Sequence, residues 1–261
     1  MPYSLITFEI DDGVGLISLN RPNDGNALIP EMAWELLDAA NRCEEDPEVR
    51  AVVLTGSGKM FCAGGDLKAF AAQGEKVSGY IKDITQAFHA AISRFNWMDP
   101  PVVGAINGTA AGGGFSLALT TDIAIAAESA KFTMAYTKGG LTPDGSSSYF
   151  LARMVGLRRA KEMALLNPIL SARQAMDWGL VNQVVADDQV LITALEIAHQ
   201  LAKGPTRSFG ETKRLILSGA SESLESQMEK ETRAIASIAG SADTREGIAA
   251  FIAKRIPEFH G

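Results

Sequence analysis

The stretches FCAGGDL (61–67) and NGTAAGGGFSLAL (107–119) decide the fold, because each joins an apolar run to a helical pattern through glycine. The run AVVL (51–54) precedes the first stretch, and VVGAI (102–106) precedes the second. Short apolar runs without polar alternation are typical of strands that are buried on both faces of a parallel sheet. The sequence therefore predicts an α/β fold with two glycine-rich strand-to-helix turns.

The first 200 residues carry further strand and helix patterns around these turns. A β-hairpin is predicted at 6–19, turning at Asp11-Asp12-Gly13, and residues 56–65 are predicted to be a loop. Further strands are predicted at 123–127 and 180–185, and helices at 30–45, 78–97, 112–120, 145–154, 157–166 and 171–178.

The chain changes character after Lys203-Gly204-Pro205, because only helical patterns follow, at 205–218, 221–239 and 242–254. We therefore predict an α/β core at 1–200 and a C-terminal helical region at 201–261.

Composition excludes several classes of function. The chain has 261 residues and a net charge of −7, which disfavours binding to nucleic acid. Its two cysteines form no CxxC motif, so neither a disulfide framework nor a metal site is expected. The uncharged stretch 101–121 is rich in glycine and is interpreted as strand, turn and helix rather than a membrane span. Without the features of a signal peptide at its start, the chain is expected to be cytoplasmic.

The two glycine-rich turns have a chemical interpretation and a structural one. The first N–H groups of a helix have no partner within the helix, and glycine allows a ligand to approach the backbone. Two such turns side by side would aim two N–H groups at one oxygen, which is an oxyanion hole. Alternatively, the glycines only pack a helix closely on a sheet. Neither a phosphate-binding loop nor a dinucleotide-binding fingerprint is present, because the required lysine and the GxGxxG spacing are missing.

Six motifs in order resemble the enoyl-CoA hydratase/isomerase, or crotonase, superfamily. They are PNDGNAL (22–28), FCAGGDL (61–67), AINGTAAGGG (105–114), DIAIAAESAKF (122–132), DWGLVNQVV (177–185) and FIAKRIPEF (251–259). The resemblance implies a spiral of ββα units with a C-terminal helical domain that makes trimer contacts, in a homotrimer or a dimer of trimers. It implies an acyl-CoA substrate, of which coenzyme A is a part, and no separate cofactor.

The same resemblance implies the site residues. The oxyanion-hole N–H groups would belong to Ala63 and Gly113. The acyl pocket would lie between 66–97 and the C-terminal helices. The residues that contact coenzyme A would be Asn26, Ala27, Leu28, Ala63, Gly64, Gly65, Asp66, Leu67, Phe251 and Lys254.

The reaction is predicted from the acid residues. Hydratases of the superfamily use two glutamates that would fall on Ser116 and Tyr136, and neither residue is an acid. Asp144 is the acid left in this neighbourhood, and 131–160 resembles the isomerases of phenylacetate degradation. A single carboxylate can take a proton from C2 of an enoyl-CoA and return it at C4, which shifts the double bond. On the residues alone, the interpretation of Asp144 as only a turn and N-cap residue is favoured, and the resemblance to the family reverses that order.

Other interpretations stay open at this point. Dehalogenases of 4-chlorobenzoyl-CoA use an aspartate here as nucleophile, with a histidine that would align near His89, but Tyr136 stands where they have Trp. A hydratase and a non-catalytic acyl-CoA-binding protein are further alternatives. Tyr136, Ser116 and His89 are predicted to line the substrate pocket, although a His on an apolar helix is often only packed. The nucleophile-elbow interpretation of Ser116 is disfavoured because Ala118 replaces the second glycine.

Overall fold

Strands and helices alternate along the chain and form two sheets in residues 3–261, which the computed structural model describes. The strands are β1 (Ile6–Asp11), β2 (Val14–Leu19), β3 (Ala51–Gly56), β4 (Met60–Cys62), β5 (Val102–Ile106), β6 (Thr109–Ala111), β7 (Ile123–Ala127), β8 (Lys131–Thr133), β9 (Leu170–Ser171) and β10 (Gln183–Val185). The helices are α1 (Pro30–Glu45), α2 (Leu67–Ala72), α3 (Val77–Trp97), α4 (Gly113–Leu119), α5 (Ser147–Leu166), α6 (Ala172–Asp177), α7 (Val190–Ala202), α8 (Thr206–Gly219), α9 (Leu224–Ala239) and α10 (Ala242–Ala253).

The two sheets are built by a repeating ββα unit. In the units that begin at β3, β5 and β7, the first strand joins a large sheet, the second joins a small sheet, and a helix follows. The large sheet has the order β1-β2-β3-β5-β7-β10, and the small sheet has the order β4-β6-β8-β9. Pairing is parallel from β2 to β10 in the large sheet and antiparallel in the β1–β2 hairpin. The predicted α/β class and the spiral of ββα units are therefore present in the structure.

Most predicted elements are confirmed, and the differences have local causes. The hairpin and the strands β5 and β7 lie where the patterns predicted them. Helix α5 breaks at Gly156, whose φ of 79° and ψ of 160° are not helical, in agreement with the two helices predicted there. The prediction of a loop at 56–65 is wrong at β4. The strand predicted at 180–185 begins only at Gln183, because the Leu180 N–H still bonds the Ala175 carbonyl at the end of α6.

The sheet core brings the two glycine-rich turns together. All residues of β3 and β5 are buried, and the two strands pair in parallel through registers such as Val53↔Val103. Their carboxyl ends therefore lie side by side, and this end of a parallel sheet is where ligands bind in α/β proteins. The short strands β4 and β6 pair directly after them and carry the chain into α2 and α4.

The C-terminal helices are tied to the core by hydrogen bonds of charged side chains. The Lys213 ammonium on α8 donates to the carbonyl of Phe95 and to the carboxylate of Asp122, with an Nζ–Oδ2 distance of 2.7 Å. Burial lowers the pKa of Lys213, and Asp122 opposes that change. Arg50, directly before β3, donates to the Phe259 carbonyl near the chain end. Helix α8, after the predicted boundary, packs on α3, before it. The division of the chain near residue 200 therefore stays a prediction.

Neither a membrane-crossing helix nor a metal-binding cluster of side chains is found in residues 3–261. No helix there has the length and apolar character needed to cross a membrane. No cluster of three or more His, Cys, Asp or Glu side chains there could hold a metal ion.

Candidate active site

The first glycine-rich turn runs from Ala63 to Asp66 and is held by backbone hydrogen bonds to the loop at 25–28. The Ala63 N–H donates to the Gly25 carbonyl at 2.9 Å, and the Leu28 N–H donates to the Gly64 carbonyl at 2.7 Å. The Asp66 N–H donates back to the Leu28 carbonyl at 3.1 Å. Within residues 3–261, the N–H of Gly65 has no acceptor. It is therefore free to bind a ligand, and Gly65 lines a mainly apolar cavity.

The second turn supplies another free donor. The Gly112 N–H bonds the Thr133 carbonyl, whereas the Gly113 N–H, at the first position of α4, has no acceptor in the part of the chain that the structure describes. The turns touch, since a Cβ placed on Gly64 would lie 3.0 Å from the Gly113 nitrogen. Gly64 has a φ of +90°, which strongly favours glycine. Both free amides belong to residues that line the same cavity.

These bonds correct one predicted donor. Ala63 cannot serve in the oxyanion hole, because its N–H is already bonded to Gly25. The N–H group two residues further on, that of Gly65, follows the turn at Gly64, has no acceptor among residues 3–261 and belongs to a residue that lines the cavity. Gly65 is therefore the candidate donor in place of Ala63. The Gly113 N–H lies at the same cavity, and its role in an oxyanion hole stays a prediction. We call the segments 63–66 and 112–114 the oxyanion wall.

Cys62 lies directly behind this wall. Its thiol is 3.1 Å from the Asn26 carbonyl, and the Gly64 N–H approaches the sulfur at 3.5 Å. Burial raises the thiol's pKa to about 12, and the Gly64 N–H opposes this only in part. The sulfur therefore stays protonated at neutral pH.

The cavity in front of the oxyanion wall has a volume of about 490 Å³ and is mainly apolar. Its side walls come from α2 and α3, through residues such as Phe70, Ile84 and Phe88, and from 135–144. The prediction that C-terminal helices help to form the acyl pocket is wrong for a single chain, because the lining residues end at Asp144. Asp144 is the one carboxylate among the described lining residues.

Asp144 is held by a tyrosine and a serine. The Tyr136 hydroxyl donates to the Asp144 Oδ1 at 2.5 Å. The Ser116 Oγ lies 2.8 Å from the Tyr136 oxygen and 2.9 Å from the Asp144 carbonyl. Burial, together with the nearby Asp144 charge, raises the pKa of Tyr136 far above its usual value, so that the phenol remains a donor. We call 136–145 the acid wall.

His89 approaches Asp144 from the opposite side. Its Nε2 lies 3.4 Å from the Asp144 Oδ2 and accepts the Gly145 N–H at 3.0 Å. Because Nε2 uses its lone pair on Gly145, it offers no proton to Oδ2. In the described part of the chain, Oδ2 therefore has no donor and is the carboxylate oxygen available to a substrate proton.

The structure separates the three predicted pocket residues. Tyr136 lines the cavity as predicted. Ser116 is fully buried behind Tyr136, and His89 lines a neighbouring cavity, so neither of them contributes to the lining. Both reach the substrate cavity only through Asp144 and Tyr136.

The residues predicted to contact coenzyme A fall into two groups. Leu28, Gly65 and the exposed Leu67 line the cavity. Asn26 and Ala27 are buried, and the Asn26 amide is used to bind the carbonyls of Ser57, Met60 and Phe61. The side chain of Asn26 therefore shapes the loop and is not free for a ligand.

Asp66 has a structural role of its own at the start of α2. Its carboxylate accepts the N–H groups of Lys68 and Ala69 and pairs with Arg21 at 3.2 Å. Burial alone would raise its pKa, but these donors and the Arg21 charge hold it below its usual value. Arg21 also donates to the Ala27 carbonyl and so joins both loops. Sequence reasoning missed Arg21, because a single Arg in a polar loop carries no spacing signal.

Phe251 and Lys254 lie away from this cavity in the same chain. Both are exposed at the end of α10, and neither lines the cavity. The tail after α10 is bound by Arg50 at the amino end of β3, whereas the cavity lies beyond the carboxyl end of that strand. The strand alone spans about 17 Å.

Comparison with known proteins defines the class. The sequence model of the family "Enoyl-CoA hydratase/isomerase" matches residues 9–261. The chain therefore belongs to the enoyl-CoA hydratase/isomerase family, as the six motifs predicted.

Individual relatives carry different activities in their names. The chain is 40% identical to the 1,2-epoxyphenylacetyl-CoA isomerase of Escherichia coli (strain K12), over 98% of each chain. It is 37% identical to a 4-chlorobenzoyl coenzyme A dehalogenase of an Arthrobacter species, over 96% of this chain and 91% of that one. The crystal structure of an enoyl-CoA hydratase from Polaromonas sp. JS666 superimposes with a TM-score of 0.93 at 35% identity, covering 97% of this chain and 99% of that one. This likeness confirms the predicted crotonase-like fold.

Proposed function

We propose that this family member is an acyl-CoA isomerase that shifts a carbon–carbon double bond, with Asp144 as acid and base. The observation that carries the proposal is the set of contacts at the acid wall. At the positions where hydratases are expected to have glutamates, Ser116 and Tyr136 contact each other and Asp144. One carboxylate therefore faces the cavity; the Tyr136 hydroxyl donates to it, and the Ser116 hydroxyl contacts Tyr136 and the main-chain carbonyl of Asp144.

The proposed reaction needs only one proton carrier. The thioester oxygen accepts the N–H groups of Gly65 and Gly113, which stabilise the negative charge of an enolate. The Asp144 Oδ2 takes a proton from C2, and the electron pair of that C–H bond moves into the enolate. The same proton returns to C4 as the double bond moves to C2–C3. No atom is gained or lost, and Asp144 ends as the carboxylate that it was at the start.

The contacts at Ser116 and Tyr136 disfavour hydration. Addition of water to a 2-enoyl-CoA needs one group to activate water and one to deliver a proton. The phenol of Tyr136, with its raised pKa, is a poor base, and Ser116 is buried away from the cavity. We therefore expect hydration to be slow compared with isomerisation.

A panel of thioesters tests the proposal. The chain is incubated with 2-enoyl-, 3-enoyl- and arylacetyl-CoA esters, and products are followed by mass and by ultraviolet absorbance. We expect the 3-enoyl ester to give an isomer of unchanged mass that absorbs as a conjugated enoyl thioester. Faster formation of a product heavier by one water would support a hydratase, and binding without turnover would support an acyl-CoA-binding protein.

A hydrolytic dehalogenase is the second candidate, because His89 lies 3.4 Å from Asp144. There the carboxylate would attack the ring carbon that bears chlorine, chloride would leave, and water would hydrolyse the ester. Against this, the Gly145 N–H occupies the His89 Nε2, so that atom is not free to activate water. Release of chloride from 4-chlorobenzoyl-CoA would favour this candidate over the isomerase.

We further propose that coenzyme A is bound at Leu28 and 63–67, and that Phe251 and Lys254 reach it from a second chain. This proposal agrees with their position away from the cavity of their own chain. It also agrees with the exposed apolar residues of α8–α10, such as Ile216, Ile235 and Ile252. A homotrimer or a dimer of trimers, measured by light scattering, is the expected assembly, and a cytoplasmic location stays a prediction.

A further inference from the structure

A single layer of residues separates the substrate cavity from a second cavity of about 550 Å³. The second cavity lies between α3, the start of α5 and the helices α8 and α9. It is lined in part by polar side chains, among them Ser93, Asn96 and Lys230. On α3, Phe88 lines the substrate cavity and its neighbour His89 lines the second one. Just before α5, Asp144 lines the substrate cavity and its neighbour Gly145 lines the second one.

The layer is tightly packed at Gly145. This glycine has a φ of +57°, and a Cβ on it would lie 2.7 Å from the Phe88 ring and 2.8 Å from the Cβ of Ser116. In this layer the His89 side chain lies against the Asp144 carboxylate, with its Nε2 3.4 Å from Oδ2. The His89 side chain is 49% exposed, and the cavity that it lines is the second one. His89 is thus the residue whose removal would connect the two cavities at the carboxylate.

Hydrogen bonding fixes His89 in this place and argues against a proton relay. Its Nε2 accepts the Gly145 N–H at 3.0 Å, so the imidazole would have to break this bond before it could take a proton from Asp144. A ring held in this way fills space beside the carboxylate without exchanging protons with it.

We propose that His89 is a water barrier that keeps the proton on Asp144 from exchanging with solvent while it is carried from C2 to C4. This inference rests on the proposed isomerase function. The proton bound to the Asp144 Oδ2 returns to the same substrate molecule only if no water reaches that oxygen. Truncation of His89 to the methyl group of alanine would leave room for water, whose share of liquid volume is about 30 Å³. The proton on Oδ2 would then be replaced by one from the solvent.

Isomerisation in D₂O tests the barrier. Each protein converts an ordinary 3-enoyl-CoA at low conversion, and the fraction of product that carries deuterium is measured by mass. We expect little deuterium with the wild type and a severalfold increase with His89→Ala. His89→Gln should behave as the wild type, because glutamine keeps the bulk and offers an acceptor to the Gly145 N–H. Ser93→Ala, one turn along α3 and also lining the second cavity, is the matched control and should not change the fraction.

The ratio is independent of the amount of folded enzyme, so partial loss of stability does not affect the result. A wild-type product that is already fully deuterated, or an unchanged fraction in His89→Ala, would overturn the barrier. A lower fraction of deuterated product in His89→Ala would also overturn the barrier and would establish a relay.

A second assay follows the exchange of the C2 protons of a saturated acyl-CoA, which needs proton abstraction only. If the wild type exchanges but does not isomerise, the isomerase proposal fails and the barrier is measured by this exchange. If it does neither, both proposals fail.

Discussion

The oxyanion wall and the acid wall face the same cavity, but they are built by different means. Backbone hydrogen bonds such as Ala63 N–H to Gly25 and Gly112 N–H to Thr133 hold the oxyanion wall, and its functional groups are backbone amides. In the acid wall the functional group is a side chain, which accepts a hydrogen bond from Tyr136 and has the His89 Nε2 3.4 Å away.

The acid wall is flanked by two residues that have a left-handed backbone conformation. The acid wall lies between Ala135 and Ser146, which have φ values of 57° and 66°, and it includes the exposed residues Thr137 and Lys138. A left-handed conformation at such residues costs free energy that the surrounding contacts must offset.

This difference shows where the common step and the particular reaction are encoded. Polarisation of a thioester carbonyl depends on the path of the main chain, which many sequences can preserve. In the proposed reaction, the fate of the enolate depends on a few side chains at 116, 136 and 144. Relatives with names as different as isomerase and dehalogenase are compatible with this division.

The largest expected effect on the acid wall alone is that of Asp144→Asn. The amide has the shape of the carboxylate but cannot take a proton, so kcat for double-bond migration should fall by about 10² to 10⁴. Binding of an unreactive saturated acyl-CoA, measured by calorimetry, should remain near the wild-type affinity because the oxyanion wall is intact. Full activity in this variant would remove Asp144 from the reaction.

Tyr136→Phe tests the support of the acid wall. Loss of the 2.5 Å hydrogen bond to Asp144 removes a donor to a charged group, which is worth about 1.5–3 kcal/mol. We expect kcat to fall about tenfold or more, with saturated acyl-CoA binding unchanged. Ser116→Ala is the matched comparison and should have a smaller effect, because the serine reaches the carboxylate only through Tyr136. An equal loss of binding in Tyr136→Phe would show that the walls are not independent.

Gly114→Ala tests the main-chain path of the oxyanion wall. A Cβ here would lie 2.1 Å from the Cys62 carbonyl oxygen, so β4 and α4 must move apart. Overpacking of this kind costs about 1–3 kcal/mol, and the melting temperature should fall. The control is Gly79→Ala in α3, where a Cβ meets nothing within 4 Å and the higher helix propensity of alanine should stabilise the protein slightly. A Gly114 variant as stable as wild type would contradict the close packing.

The smallest expected effect is that of Asp66→Asn at the edge of the oxyanion wall. Asparagine caps a helix about as well as aspartate, so the change isolates the ion pair with Arg21, worth about 0–1 kcal/mol. The pKa of Asp66 is lowered by folding, so its charge stabilises the native state above the usual carboxyl pKa. That contribution is lost as the pH falls through the lowered value.

Denaturant unfolding at a series of pH values measures this contribution. The variant should be slightly less stable than wild type at neutral pH and equal to it in strong acid. Asp83→Asn, at an exposed position of α3, serves as control. A gap between Asp66→Asn and wild type that persists unchanged in strong acid would contradict the assigned role of the charge.

The large sheet could be predicted from the sequence, because the apolar runs at 51–54, 102–106 and 123–127 are long enough to carry a strand signal. The small sheet could not, since β4, β6, β8 and β9 have only two or three residues each, too few to carry a strand pattern. The two converging turns were predicted from the sequence, but the free N–H group of the first turn, that of Gly65, was not. Which amide of 63–65 is free depends on the turn at Gly64 and on the carbonyl groups around it, which residue types do not specify. For His89, spacing placed it near Asp144 but could not show which cavity it lines.

The thiol behind the oxyanion wall has a practical consequence. Cys62 is two residues from Gly64 and would be an obvious target for covalent labelling of this enzyme. Its sulfur is buried and protonated, so maleimides, iodoacetamide and mild peroxide should leave turnover intact, and Cys43, which is equally enclosed, should not react either. Chemical probes for this protein are therefore better built on an electrophile that meets the carboxylate of Asp144 from the acyl side.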